Sequence, residues 1–355
     1  MKRIGIIGGM GNEAMVDLVE KIAANPEHQS AEYLVFGNSR LAYKPEEVGV
    51  EWQPADEPEL RKHDTATFTL RFMQHLGASV LGLACNSAHE LFRTLTPNVP
   101  VPFVDMVNET AKRQRGCEER ILVMGVTSLV CSGLYQKALA EFGLDSVAPD
   151  SANQAKVMDA IYNSEFGIKT AQITAQAENL LCEVINAETE RHDCNKVVLG
   201  CTELPLALTP ISVERFKKEG RLNLNIEVID ASQVLAESLQ CAEGQAHTLE
   251  SSLDSYHGEH CDWLAPLAVS VQDLPSLCDI QKRIFNLTEQ FLAARGERIR
   301  GSYSHLPTLF FSESATDVAT KLTALGIEVF PQAALSDEDV FAALSRHAVS
   351  KPTAK

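Results

Sequence analysis

The 355-residue chain lacks a long apolar run, a C-x-x-C pair and any excess of positive charge. Each absence excludes a class. A membrane-spanning helix needs about 18 consecutive apolar residues, so none is predicted. The start, Met1-Lys2-Arg3 followed by Ile4 to Met10, superficially resembles a signal peptide. Its apolar run stops at the lower end of the usual range, and no small-residue cleavage pattern follows. The nine cysteines are odd in number and too sparse for a disulfide scaffold, which fits a reducing compartment. A cytoplasmic protein is therefore expected. The net charge of -17 argues against nucleic acid and anionic membranes as partners. It leaves room for a small acidic ligand, which needs only local cations. His257, His260 and Cys261 are irregularly spaced and form no closed ligand set, so no metal is expected.

The rest of the composition is that of a globular protein, 45% hydrophobic and 22% charged. The length suggests two or three domains. Strand and helix signals alternate from the start, with strands at Ile4 to Gly8, Tyr33 to Phe36, Val80 to Ala84 and Val101 to Val104. The pattern restarts at Arg120 to Gly125, with further strands at Val197 to Leu199 and Ile226 to Ile229. This predicts an α/β fold: two pseudo-symmetric, doubly wound parallel-sheet lobes with a cleft between them. Residues 1–112 with 226–240 form the predicted first lobe, carrying Cys85, and 113–225 the second, carrying Cys201. A polar linker is predicted over 241–263. Residues 264–348 follow a β-α-β-β-α-β order, with a strand at Arg298 to Tyr303 among them. That order predicts an accessory α+β module, ferredoxin-like and faintly similar to small-ligand modules of the ACT type. Residues 349–355 read as a tail.

Two motifs carry chemistry. Cys85 lies in Leu83-Ala84-Cys85-Asn86-Ser87-Ala88-His89, and Cys201 in Leu199-Gly200-Cys201-Thr202-Glu203-Leu204-Pro205. Each follows a buried-strand run and precedes a helix-like stretch. A single such cysteine is more often a small buried hydrophobe. Two in matched settings favour paired acid/base groups, with helix N-termini expected to lower both thiol pKa values toward neutrality. His89, four residues after Cys85, has two readings: it tunes the thiol, or it packs and caps the helix. Glu203 points away from Cys201 on a regular helix and approaches it at a bend.

The turn Gly8-Gly9-Met10-Gly11-Asn12-Glu13-Ala14 fits a dinucleotide fingerprint after a strand. The second strand ends Phe36-Gly37-Asn38-Ser39, without the acidic residue that would hold a ribose. An anion-binding turn at a helix N-terminus, suited to a carboxylate, is the better reading.

At these residues the chain resembles the aspartate/glutamate racemase family, in its aspartate racemase and broad-specificity amino-acid racemase branch. The matching pieces are Ile4 to Gly11, Ala84 to His89, Ser132-Gly133-Leu134-Tyr135, Gly167-Ile168-Lys169 and Gly200 to Leu204, in family order over about residues 1 to 240. The resemblance implies a PLP-independent amino-acid racemase, a homodimer, that needs no cofactor and acts on a small acidic amino acid. Cys85 and Cys201 would remove and return the α-proton on opposite faces. It further implies substrate contacts at Met10, Gly11, Asn12, Asn38, Asn86, Ser87, Thr127, Ser128, Lys169, Thr202 and Glu203. Lys44 replaces the family's side-chain-binding arginine, and Arg40 is an additional cation nearby. Lysine cannot copy the planar, two-pronged grip of arginine on a carboxylate, so the choice among aspartate, glutamate and a broader set stays open. Two alternatives are a cysteine-dependent isomerase or decarboxylase of a dicarboxylic acid, and a catalytically silent module that senses a small acid.

Overall fold

Uninterrupted apolar runs such as Ile4 to Ile7 and Tyr33 to Phe36 become strands buried on both faces, as parallel sheets covered by helices require. The computed structural model describes residues 2–25, 31–42, 58–170, 172–244, 267–295 and 306–349. Within them the strands in chain order are β1 (Arg3–Gly8), β2 (Glu32–Gly37), β3 (Val80–Leu83), β4 (Phe103–Val104), β5 (Ile121–Met124), β6 (Ser146–Val147), β7 (Lys196–Leu199), β8 (Glu227–Asp230), β9 (Leu267–Val271), β10 (Thr308–Ser312) and β11 (Val329–Pro331). The chain divides into two compact units. One comprises Met1–Gly82, Leu91–Phe103 and Leu239–Lys355, the other Leu83–Glu90 and Val104–Ser238.

The first unit is built on a seven-stranded sheet in the order β11-β9-β10-β2-β1-β3-β4. β1 and β2 are parallel, with Arg3 opposite Glu32 and Gly8 opposite Gly37. The β1 turn leads into the helix Asn12–Ala23, whose Met15, Leu18, Val19 and Ile22 face the core. Gly9 has φ +102°, and a Cβ there would lie 2.3 Å from the Asn38 carbonyl carbon, so only glycine fits between these two turns.

The C-terminal third corrects the expected separate module. β9 runs parallel to both β10 and β11, and β10 is antiparallel to β2, with Thr308 opposite Gly37 and Phe311 opposite Leu34. In a ferredoxin-like sheet the last strand would oppose the first in direction; here β11 follows β9. The physical reason is the apolar face of β10. Leu309, Phe310 and Phe311 are buried against the first-unit sheet, and the pairing removes what would be an open edge at β2. Arg3 fastens the same segment. Its guanidinium contacts Glu32 and, at 2.7 Å, Asp317 of the helix Thr316–Ala324. The expected strand at Arg298 to Tyr303, most of the linker and residues 350–355 lie outside the described residues, as do His257, His260 and Cys261.

The second unit holds a four-stranded, all-parallel sheet in the order β6-β5-β7-β8. Its core joins Leu122, Met124, Val197 and Leu199 to Val157, Ile161, Leu181 and Ile185 of two covering helices, Ser151–Tyr162 and Ala175–His192. Two assignments to the first lobe change. Residues 227–230 pair with β7, placing Val228 beside Val197 and Ile229 beside Val198, so this strand belongs to the second sheet. The segment Leu83–Glu90, with Cys85, groups with the second unit. Its fasteners explain why: Asn86 accepts a hydrogen bond from Tyr135, and the Met106 N–H donates to His89. Both cysteines thus belong to one unit. Among the described residues no helix is long and apolar enough to cross a membrane.

Candidate functional site

β7 ends at Leu199, and the N–H of the next residue, Gly200, donates to the Met124 carbonyl at 2.6 Å. The chain then turns sharply, the Leu204 N–H bonding back to the Cys201 carbonyl at 3.1 Å. The helix that follows, Leu204–Ala207, starts three residues after the thiol and is a single turn long. Cys201 therefore sits in the turn and not on a helix N-terminus. That turn bends Glu203 back. The Cys201 thiol donates to Glu203 Oε2 at 3.0 Å, and the Thr202 hydroxyl reaches the same oxygen at 3.4 Å. Glu203 Oε1 lies 2.9 Å from the Lys169 ammonium. Lys169 stands on a short 3-10 turn, Ile168–Thr170, and its Nζ also lies over the Tyr162 ring, 5.4 Å from the centroid. The long helix that follows, Ala175–His192, begins only after this turn, which leaves Lys169 outside it.

The electrostatics of this row are coupled. Burial disfavours a charged Lys169, but the Glu203 carboxylate outweighs it and raises the ammonium's pKa above its ordinary value. Burial likewise opposes ionisation of Glu203, yet Lys169 and the Cys201 hydrogen bond hold its carboxyl below the usual range. Burial, reinforced by the adjacent Glu203 charge, pushes the Cys201 thiol well above an ordinary thiol. This corrects the expectation of a lowered Cys201 pKa. A one-turn helix offers little dipole, and a carboxylate 3.0 Å away overrides it. Both influences favour the protonated form of the Cys201 thiol.

Cys85 follows β3 and is partly exposed. Its sulfur lies 3.6 Å from the Ser87 hydroxyl, and either atom can donate. The helix His89–Leu95 begins four residues later. His89 is fully buried. Its Nε2 accepts the Met106 N–H at 3.1 Å, so Nδ1 carries the proton and donates to the Cys85 carbonyl at 2.8 Å. The ring thus grips the backbone of Cys85 and the first residue of the helix Met106–Arg113, in line with the packing reading. Asn86 is buried. Its Oδ1 accepts the Tyr135 hydroxyl at 2.6 Å, while its Nδ2 has no hydrogen-bond partner. A buried donor left unpaired costs about 1–3 kcal/mol, a cost that a ligand oxygen would relieve.

Thr127 and Ser128 are exposed at the start of the helix Thr127–Ser132. The Thr127 hydroxyl accepts from Gln154 Nε2 at 3.3 Å, and Gln154 also donates to the Gly125 carbonyl at 2.9 Å. Gln154 Oε1 is buried without a partner. The sequence reading missed both Gln154 and the role of Tyr135. The signal for Gln154 was available: it occupies the same helical stripe as the buried Val157 and Ile161, a polar residue at a core position.

The other expected ligands lie in the first unit. Gly11 caps the helix Asn12–Ala23 with no side-chain hydrogen bond, next to Met10 and Asn12. Asn38 is fully buried and spends its amide internally: Nδ2 donates to Thr69 at 2.9 Å and Oδ1 accepts the Arg40 N–H at 3.2 Å. Arg40 is buried in the 3-10 turn Ser39–Ala42. Lys44 lies outside the described residues. The structure thus gathers Cys201, Thr202, Glu203 and Lys169 around one carboxylate and Cys85, Asn86 and Ser87 on one turn. Met10, Gly11, Asn12, Asn38 and Arg40 belong to the other unit. Among the described residues no group of three His, Cys, Asp or Glu side chains is placed to hold a metal ion.

A family model described as Asp/Glu/Hydantoin racemase matches residues 4–239. The broad specificity amino-acid racemase RacX of Bacillus subtilis (strain 168) is 23% identical over 241 residues, spanning 66% of this chain and 95% of that protein. The glutamate racemase of Aquifex pyrophilus is 30% identical over 176 residues, 47% of this chain and 60% of that protein. The solved structure of Picrophilus torridus aspartate racemase superposes with a TM-score of 0.53 at 24% identity, covering 70% of this chain and 96% of that one. The family match ends at residue 239 and leaves the last third without a counterpart in it.

Proposed function

The chain belongs to the Asp/Glu/Hydantoin racemase family and is an isomerase of the PLP-independent racemase kind, and from that premise we propose that it racemises a small acidic α-amino acid by proton transfer between Cys85 and Cys201. The observation that carries this reading is the Cys201–Glu203–Lys169 row. A base and an acid must act on opposite faces of the α-carbon in one turnover, so one thiol must start protonated. Cys201 is held protonated by burial and by Glu203. Cys85, partly exposed beside the Ser87 hydroxyl, is the complementary base.

In this direction the Cys85 thiolate takes the α-proton. The C–H electron pair moves into the α-carbon and its carboxylate, giving a planar carbanion. The Cys201 S–H proton then adds to the opposite face, and the electron pair of the S–H bond stays on sulfur. Cys201 is left as a thiolate beside Glu203, where the Lys169 charge, 2.9 Å from that carboxylate, offsets the added negative charge. The reverse reaction exchanges the roles. The developing charge on the substrate carboxylate needs donors fixed in advance. The unpaired Asn86 Nδ2, the Thr202 hydroxyl and the turn N–H groups are the candidates. Thr127 and Ser128, in the same unit as both cysteines, are proposed as further carboxylate contacts. The family resemblance adds a homodimer to the proposal, which sedimentation would show.

Single enantiomers of aspartate and glutamate incubated in D2O test the reading. Loss of the α-proton together with inversion of optical rotation is expected, and Cys85→Ser and Cys201→Ser should each abolish it. Carbon dioxide release without inversion would point to a decarboxylase. Full racemisation by either serine variant would end the two-cysteine assignment.

A further inference from the structure

Tyr135 touches the neighbours of both cysteines. Its hydroxyl donates to Asn86 Oδ1 at 2.6 Å, one residue after Cys85. Its ring edge lies over Gly200, one residue before Cys201: a Cβ at Gly200 would come within 3.2 Å of Tyr135 Cε2. The same Cβ would be 2.8 Å from Leu129 Cδ2 and 3.0 Å from the Met124 carbonyl oxygen, so the Tyr135 ring is one wall of a space at the end of β7 that holds no side chain at Gly200. Tyr135 itself is completely buried. Local sequence brings it there. The helix Thr127–Ser132 stops at Gly133, in the left-handed region with φ +68°, and a new helix, Leu134–Ala140, starts at once. The break redirects the chain and puts Tyr135 at the second position of the new helix.

An amide side chain has an accepting end and a donating end. A hydroxyl donating to Oδ1 decides which is which. With Oδ1 held by Tyr135, the Asn86 Nδ2 must face the other way, and that is the atom left buried and unpartnered. A phenylalanine would fill the same volume over Gly200 but would leave the amide free to turn. The hydroxyl therefore has a task separable from the packing of the ring.

We propose that Tyr135 is a positioning residue, its hydroxyl orienting the Asn86 amide to donate to the substrate carboxylate while its ring fixes the backbone that presents Cys201. The proposal rests on the racemase reading of the same site. It differs from a core aromatic that merely satisfies its own hydroxyl, because it couples Tyr135 to Asn86 in substrate binding and turnover.

The test is a double-mutant cycle on the full chain with Tyr135→Phe, Asn86→Ala and the double variant. The readouts are kcat and KM for racemisation of aspartate and, separately, calorimetric binding of L-aspartate, with Cys85→Ser and Cys201→Ser assayed in parallel. Tyr135→Phe is expected to lower kcat/KM by roughly 10- to 100-fold, the scale of a small misplacement of a binding group. It should also weaken L-aspartate binding, with an unfolding midpoint close to that of the parent. Added to Asn86→Ala, it should cost almost nothing further. Wild-type kcat/KM in Tyr135→Phe, or losses that multiply in the double variant, would overturn the proposal. If the parent binds L-aspartate but racemises neither aspartate nor glutamate, the racemase reading fails while the binding cycle still decides the role of Tyr135. If the parent neither binds nor racemises aspartate or glutamate, both fall.

Discussion

The Lys169 ammonium lies 2.9 Å from Glu203 Oε1, and the other oxygen of that carboxylate accepts the Cys201 thiol at 3.0 Å. One carboxylate thus faces a cation on one side and an acid on the other. Removing the cation should be worse than removing the pair. Lys169→Met leaves Glu203 buried and uncompensated, and breaking a buried pair in this way costs about 3 kcal/mol or more. The double variant Lys169→Met/Glu203→Gln should recover much of that stability but none of the activity, because no charge is left to offset a Cys201 thiolate. Urea unfolding and racemisation assays on the two variants check both halves. Equal stability of the single and double variants would show that the pair is not coupled in solution.

The same row sets a pH window for stability. Glu203 is depressed in the folded state, so its contribution is present above its unfolded value, about 4.3. It is lost as pH falls through the lower folded value. Cys201 is raised. Its unfolded thiol ionises from about pH 8.5 while the folded one stays protonated, so stability declines as pH rises from there. Lys169 is also raised, so its share persists up to about pH 10.4 and is lost only above its folded value. Unfolding free energies measured from pH 3 to 10 should therefore differ between parent and Glu203→Gln most near neutrality, with the gap closing in acid. Cys201→Ser should flatten the alkaline decline. A gap between parent and Glu203→Gln that is constant across the acid range would contradict the depressed carboxyl.

The C-terminal third gives a prediction about architecture. Phe310 is fully buried in β10, which pairs with β2 through Phe310 opposite Val35. Phe310→Ala should cost about 3–5 kcal/mol, and a chain ending at Gly244 should lose the unfolding transition of the first unit or fail to fold. Asp317→Asn, by contrast, breaks a half-exposed contact with Arg3 and should change stability by no more than about 1 kcal/mol. Thermal unfolding of the three proteins separates these outcomes. A truncated chain as stable as the full one would mean that β10 is dispensable to the sheet.

The longer strands and both thiol motifs are legible in the sequence because buried parallel strands are written as local apolar runs, and β1, β2, β5 and β7 are nearly continuous ones; the two-residue β6 is not. It failed where the decisive partner is distant in the chain. β10 has an equally apolar pattern, but nothing local says that it pairs with β2, more than two hundred residues earlier. The strand at 227–230 is legible as a strand, but its pairing with β7 is not, for the same reason. At the site, the environment of Cys201 hinged on a turn. Helical periodicity aims Glu203 away from the thiol, whereas the bend before Leu204 brings it to 3.0 Å. Lys169 and Glu203 are 34 positions apart, a pairing that composition and spacing do not encode.

The unequal settings of the thiols predict unequal reactivity. Burial pushes Cys182 up to about 11 and Cys278 up to about 12. Cys201 is raised as well and is nearly inaccessible. Cys85 and Cys117 are partly exposed, and Cys131 and Cys241 exposed. Iodoacetamide at pH 8 reacts with accessible thiolate, so peptide mapping should find Cys85, Cys117, Cys131 and Cys241 modified first, and Cys182, Cys201 and Cys278 spared. Glu203→Gln then changes one site specifically. It removes the negative charge, and with its amide oxygen turned to the Lys169 ammonium it sets an NH2 where Oε2 accepts the Cys201 proton, while the positive charge of Lys169 remains. The Cys201 pKa must fall, and its alkylation should accelerate severalfold over the parent with Cys182 and Cys278 unchanged as internal controls. Equal acceleration at all three would mean that the variant loosens the fold. No acceleration at Cys201 alone would mean that Glu203 does not hold its proton.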